Sequence, residues 1–196
     1  MNKLMGFFEL KHSGLPTIKW DEFNKSVVFD EDKLWTIRSA VYQGDDLNLP
    51  RKVGVDAKEA WEFANELSHK LQDKGIVIYY PYFLAEKSGT LEVKWDETII
   101  EAVKDDLWNM VTYSDRDVTL RYLDNGDVLT DGDPDFLDQT EIAELLKNVN
   151  PVKHIFRNEL MEGKSILLEW SFAYDSDSKK NAVGDKYLVF YEARTV

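Results

Sequence analysis

The sequence predicts an α+β protein of mainly antiparallel sheets and packed helices. Three stretches carry that prediction. The C-terminal segment from Leu167 to Val196 reads as two strands around a polar loop; a capped amphipathic helix follows Asp56; a strand pair turns at Asn125-Gly126. Strand periodicity of two and helical periodicity of 3.6 thus share one chain, and short turns between the strands favour antiparallel pairing.

Taken in order, the first strand is Leu34 to Tyr42, LWTIRSAVY. It places Leu34, Thr36, Arg38, Ala40 and Tyr42 on one face and Trp35, Ile37, Ser39 and Val41 on the other. Asp56 is the N-cap of the next element, with Glu59 as its capping-box partner. Ala60, Phe63, Ala64, Leu67 and Leu71 follow at helical spacing, and Gly75 closes the helix. Ile76 to Leu84 reads as one strand. Thr98 opens a second predicted helix, capped by Glu101, whose stripe is Ile99, Val103, Leu107 and Met110. Asp117 to Thr130 is a hairpin with Asn125-Gly126 in a type I′ turn. Asp138 and Glu141 cap a helix over 139–147, and Pro151 begins the run to the closing strands.

Composition narrows the function. The chain has 196 residues, 43% of them hydrophobic, enough for a sizeable core in one domain or two lobes. A net charge of −13 argues against nucleic acid as a partner, because like charges repel. No stretch reads as a membrane span or a secretory signal, and the absence of cysteine excludes disulfides and thiolate sites, which together favour the cytoplasm.

The closing strands hold the chemistry. Ile166, Leu168, Trp170, Phe172 and Tyr174 alternate onto one apolar face, leaving Glu169 on the other with Leu167 and Ser171. In the last strand Glu192 and Arg194 fall on one face with Leu188 and Phe190, and Tyr187, Val189, Tyr191 and Ala193 on the other. Paired strands bring Glu169, Glu192 and Arg194 onto one surface. Two carboxylates and a guanidinium suit a metal ion beside a phosphate; the same spacing also fits a cross-strand salt bridge. Arg38, in mid-strand, needs solvent, an anion or an ion-pair partner.

The run E-W at Glu169, a hairpin, then E-A-R-T-V at Glu192 resembles the end of the ATP-grasp nucleotide-binding domain of phosphoenolpyruvate synthase and pyruvate phosphate dikinase. Other segments match the same family in the same order: E-L…G-L-P from Glu9 to Pro16, I-R-S-A…D-D-L from Ile37, A-E-K-S-G from Ala85, and I-E-A from Ile100. The resemblance implies a two-lobed ATP-grasp fold across residues 1–196, with approximate lobes 1–92 and 93–196, clamping ATP and Mg2+. It implies that Lys3 and Arg38 contact the cofactor's phosphates, that Glu169 holds the metal, and that Arg194 acts with Glu169 in catalysis; Glu192, on the same surface, is taken as a further cofactor contact and metal ligand from its place beside them.

Departures bear on turnover. The glycines around the family's phosphate-contacting lysine are missing at Lys3, which also reads as a flexible terminal lysine. Leu167 stands for an aspartate, Glu192 for a glutamine, and Asp105 to Trp108 for the family's G-L-G-E loop. Glu192 either joins the metal or repels the triphosphate; like charges about 4 Å apart at an effective dielectric near 20 cost on the order of 4 kcal/mol. No stretch resembles the family's phosphohistidine domain. Either a protein partner supplies the phosphate acceptor, or the chain hydrolyses the nucleotide, or it is a catalytically inactive ATP-grasp relative serving as a nucleotide-sensing or protein-interaction module.

Overall fold

The computed structural model describes residues 1–44, 49–107, 110 and 116–196. Two antiparallel sheets organise them. The smaller contains β1 (Asp21–Glu22), β2 (Trp35–Val41), β3 (Arg51–Val55) and β4 (Gly75–Pro81) in the order β1-β4-β2-β3. The larger contains β5 (Phe83–Val93), β6 (Glu97–Lys104), β7 (Val118–Leu123), β8 (Val128–Gly132), β9 (Ile166–Ser176) and β10 (Ala182–Thr195), in the order β10-β9-β5-β6-β7-β8. Helices α1 (Lys3–His12), α2 (Ala57–Leu71), α3 (Gln139–Leu146), α4 (Val149–Ile155) and α5 (Arg157–Met161) pack on the sheets; α2 ends at Leu71 in a 3-10 turn over Gln72–Lys74, and Gly75, expected to close the helix, opens β4.

Strand alternation gives the smaller sheet two different faces. Trp35, Ile37 and Val77 pack against Ala60, Ala64 and Leu67 of α2, whose N-cap Asp56 accepts from Glu59 N as expected. Glu59 does not complete a capping box; its carboxylate pairs with Lys52 of β3 instead. Ala40, Ile76, Ile78 and Tyr80 point the opposite way, onto Leu4 and Phe7 of α1 and onto Val189 and Tyr191 of β10. Arg38 shares that inner face.

In the larger sheet Ile166, Leu168, Trp170 and Phe172 are buried with Leu91, Ile100 and Leu120 against Leu145 of α3, Val152 of α4, Leu160 of α5 and Phe156 between the last two. The opposite face, carrying Glu169 and Ser171, looks toward the smaller sheet. The helix predicted from Thr98 is in fact β6, paired along its length with β5 and β7. Thr98, Ile100 and Ala102 are buried at a period of two, and β-branched residues with a partner strand on both sides favour the sheet. After Lys104 the backbone turns through Asp105, at φ 60°. That bend takes the place of the continuous helix.

Three further expectations change. Ile76 to Leu84 is two strands, because the chain passes between sheets at Tyr82, whose N–H donates to Leu34 O rather than to a ladder. From Phe83 onward β5 pairs with β9 and β6 of the larger sheet. Only Gly126 of the Asn125-Gly126 pair has positive φ, and Leu123 O accepts from Gly126 N while Leu123 N donates to Asp127 O. That is a type I turn with a glycine bulge, not type I′. Pro151 lies within α4. The D-D-L motif at Asp45 to Leu47, Trp108 and the helix end beyond Val111 lie outside the described residues.

Candidate functional site

A cleft of about 340 Å³ opens between the inner faces of the two sheets. It is lined by Lys3, Arg38, Glu169, Glu192 and Arg194, and so by every site residue the sequence singled out. These side chains come from α1, β2, β9 and β10. Lys3 reaches the cleft because α1 is seated on β10: a Cβ on Gly6 would lie 1.9 Å from Ala193 O, so only glycine permits the approach. Asn2 caps this helix by accepting from Met5 N.

Glu192 arrives by a β-bulge. Phe190 pairs with Trp170 and Glu192 pairs with Glu169, leaving Tyr191 as the extra residue. The alternation expected along the last strand therefore breaks. Leu188 and Phe190 enter the core behind the sheet, whereas Glu192 and Arg194 turn into the cleft, and do not share the Leu188 face.

Arg38 Nη2 donates to Glu192 Oε2 at 2.5 Å, joining positions 154 residues apart across the two sheets. Its guanidinium lies 5.2 Å from the Phe7 ring centroid, and the Glu192 side chain is 1% exposed. Lys3 Nζ stands 3.3 Å from Glu192 Oε1. That oxygen is within ion-pair range of the amine but accepts no hydrogen bond. Arg194 Nη2 is 4.0 Å from Glu169 Oε1.

Burial pushes the Glu169 carboxyl up to about 7; Glu192 across the strand pair pushes the same way, while Arg38, Arg194 and Lys3 oppose them. Burial works against the charge on Arg38, yet Tyr80, Glu192 and Glu169 together raise its pKa and hold it protonated. The Tyr191 hydroxyl is raised well above its ordinary value by burial and by Glu169.

Arg51, Asp106, Ser171 and Tyr191 also line the cleft and are not among the site residues expected from the sequence. Arg51 is directly opposite Arg38 on the neighbouring strand. Like charges in that position destabilise a sheet unless anions offset them, and Glu192 lies against Arg38; the pairing is visible only once the register is known. The cleft thus gathers Lys3, Arg38, Arg51 and Arg194 against Asp106, Glu169 and Glu192, and burial raises the Glu169 carboxyl to about 7. In a chain of net charge −13 this is a cationic concavity.

Magnesium takes oxygen donors at octahedral spacing. Glu169 alone fits the common arrangement of one protein carboxylate completed by phosphate oxygens and water. Glu192 as placed does not fit, since Arg38 and Lys3 flank both of its oxygens. Among the described residues, no three His, Cys, Asp or Glu side chains cluster at metal-binding spacing.

No protein-family model matches the chain, and no curated protein matches it. Among solved structures it is similar to an L-amino acid ligase from Bacillus licheniformis, at 14% identity and a TM-score of 0.51, over 98% of this chain and 39% of the ligase. It is also similar to N5-carboxyaminoimidazole synthetase from Staphylococcus aureus, at 12% identity and a TM-score of 0.49, over 98% of this chain and 43% of the synthetase. The chain spans about two fifths of the length of these structures. At such identities the likeness defines the fold alone, and that fold is an α+β, ATP-grasp-like one. No helix among the described residues is long and apolar enough to cross a membrane.

Proposed function

We propose that the cleft binds ATP with Mg2+, and that the protein is phosphotransferase-like in the manner of the phosphoenolpyruvate synthase nucleotide-binding domain, the acceptor being carried by a protein partner. One observation carries this reading. Side chains from Lys3 to Arg194, scattered along the whole sequence, converge on a single cationic cleft between two sheets.

In this reading Lys3, Arg38, Arg51 and Arg194 bind phosphate oxygens, the arginines with the planar donor geometry that phosphate favours. Glu169 holds the magnesium, which when bound neutralises charge on the phosphates. Arg194, beside Glu169, meets charge on the transferring phosphoryl group without reorganisation. Glu192 orients Arg38 and Lys3 in place of a metal-ligand role. Phe83, Tyr80, Tyr82 and Tyr191 wall the less polar part of the same cleft and limit access of water.

The test is binding followed by turnover. ATP with magnesium at a hundred times its dissociation constant should stabilise the protein by about 2.7 kcal/mol. Arg194→Met, at a partly exposed position, should abolish most of that gain, read as the difference between the liganded and unliganded melting temperatures of the variant. An unchanged melting temperature for the wild type through a millimolar ATP titration overturns the reading.

A second reading, a nucleotide-sensing or protein-interaction module without turnover, is favoured by a separate observation: Glu192 already lies against Arg38 and Lys3. Labelled ATP separates the two. Phosphate release or transfer lost in Glu169→Gln supports the enzyme, and tight binding with no turnover in the wild type supports the module.

A further inference from the structure

The bulge at Tyr191 has a cost that only its consequence explains. Continued alternation would leave Glu192 away from Glu169; the bulge instead sets the two carboxylates directly across the strand pair, Glu192 almost fully buried. Two facing acids in a cleft are unfavourable unless cations lie between them. Arg38 and Lys3, from different elements, supply those cations. A carboxylate from the protein itself therefore occupies the position where a guanidinium and an ammonium converge, which is the position an anionic ligand group would take.

We propose that Glu192 is an internal stand-in for a ligand phosphate. In the ligand-free protein it holds Arg38 and Lys3 in the arrangement a phosphate needs; an entering phosphate group takes those two contacts from it. Glu192 is then the residue that sets the charge a ligand must carry. A group with a single negative charge gains nothing by exchanging with a carboxylate, whereas the terminal phosphate of a nucleoside di- or triphosphate offers more charge and more acceptor oxygens. The inference rests on the reading of the cleft as a nucleotide site and adds to it how the site is guarded. It also inverts the ordinary expectation for a residue in contact with the binding arginine, because removing Glu192 should strengthen binding.

The experiment is calorimetric titration of the full chain with ADP in EDTA, so that no divalent ion contributes, using wild type, Glu192→Gln and Glu192→Asp. Glu192→Gln removes the competing charge and should bind ADP about tenfold more tightly. Glu192→Asp keeps the charge but withdraws it by one methylene, so it should fold where the glutamine variant does not, and should gain a few-fold. Lys3→Met should bind more weakly than wild type. Glu162→Gln, on the surface beside Lys164, controls for net charge and should leave affinity unaltered. Wild-type binding with no gain, or a loss, in both Glu192 variants overturns this inference and leaves the nucleotide reading standing. Absence of ADP or ATP binding by wild type and both Glu192 variants, with or without magnesium, overturns both.

Discussion

Arg38 and Glu192 are each nearly inaccessible to water, so neither can be removed without stranding the other. Arg38→Met leaves a buried carboxylate with one fewer cation and should cost about 3–5 kcal/mol in urea unfolding. Arg38→Met combined with Glu192→Leu should recover most of that loss, since an apolar pair of similar volume replaces an ionic one. A double mutant as unstable as the sum of its single mutants would show that the two side chains act independently. Glu169 makes the second residue-scale prediction. Its ordinary carboxyl value of 4.5 rises to about 7 on folding, and the sign follows from which state holds the proton. Below about pH 4.5 both states are protonated and folding is unaffected. Between about pH 4.5 and 7 the folded protein keeps a proton that the unfolded chain has released, so the contribution of Glu169 to stability falls as pH rises. Above about pH 7 the whole cost of ionising a buried group is present, roughly 3 kcal/mol. Glu169→Gln should therefore match wild type at about pH 4.5 and exceed it by up to that amount at about pH 8; a stability difference that does not change with pH would place the ionisation elsewhere.

At the scale of elements, the contact between α1 and β10 governs whether Lys3 reaches the cleft. Gly6→Ala drives a methyl group into Ala193 O, so helix and strand must separate. We expect a loss of about 1–3 kcal/mol in denaturant unfolding, together with weaker ADP binding from the displaced lysine. Unaltered affinity in a destabilised Gly6→Ala protein would remove Lys3 from the site. The elements also show why some of the fold was readable and some was not. The Asp56 cap and the Asp138–Glu141 capping box are local, so spacing sufficed to find them, and both form. The strand at Arg38 and the apolar face of β9 were legible for the same reason. The segment from Thr98 carried two periodicities at once, Ile99/Val103/Leu107 for a helix and Thr98/Ile100/Ala102 for a strand. Partner strands β5 and β7 decided between them, and neither is local in sequence. The bulge at Tyr191 left no trace in residue type. Its effect was nevertheless large, since one inserted residue moved Glu192 and Arg194 from the core side of the sheet to the cleft. Candidate site residues were therefore named correctly as a group while their orientation in β10 was not, and Arg51 stayed hidden because its meaning depends on lying opposite Arg38.

For the molecule as a whole, the question is whether the two sheets behave as one folding unit. Among the described residues, two of three apolar clusters each lie behind one sheet, but the third is shared: Ile78 and Tyr80 of the smaller sheet join Val189 and Tyr191 of the larger and Phe7 of α1. Neither sheet can complete that cluster without the other. The buried Arg38–Glu192 pair crosses the same boundary, and segment 16–18 runs from α1 along the edge of β10, where Ile18 N donates to Phe190 O and Phe190 N to Pro16 O. An interface that contains part of the core transmits a loss on one side to the other. Ile78 is fully buried, and Ile78→Ala removes side-chain volume where the sheets meet, which should cost about 2–5 kcal/mol. If the sheets fold together, the variant melts at lower temperature in one transition, with circular dichroism and tryptophan fluorescence coincident. In variants that keep one of the six tryptophans, Trp35 reports on the smaller sheet and Trp170 on the larger, so independent sheets would instead separate the probes: the smaller sheet would melt early while Trp170 kept its native signal. That outcome would make the cleft a contact between two autonomous units, and ligand binding would then have to assemble the site before filling it.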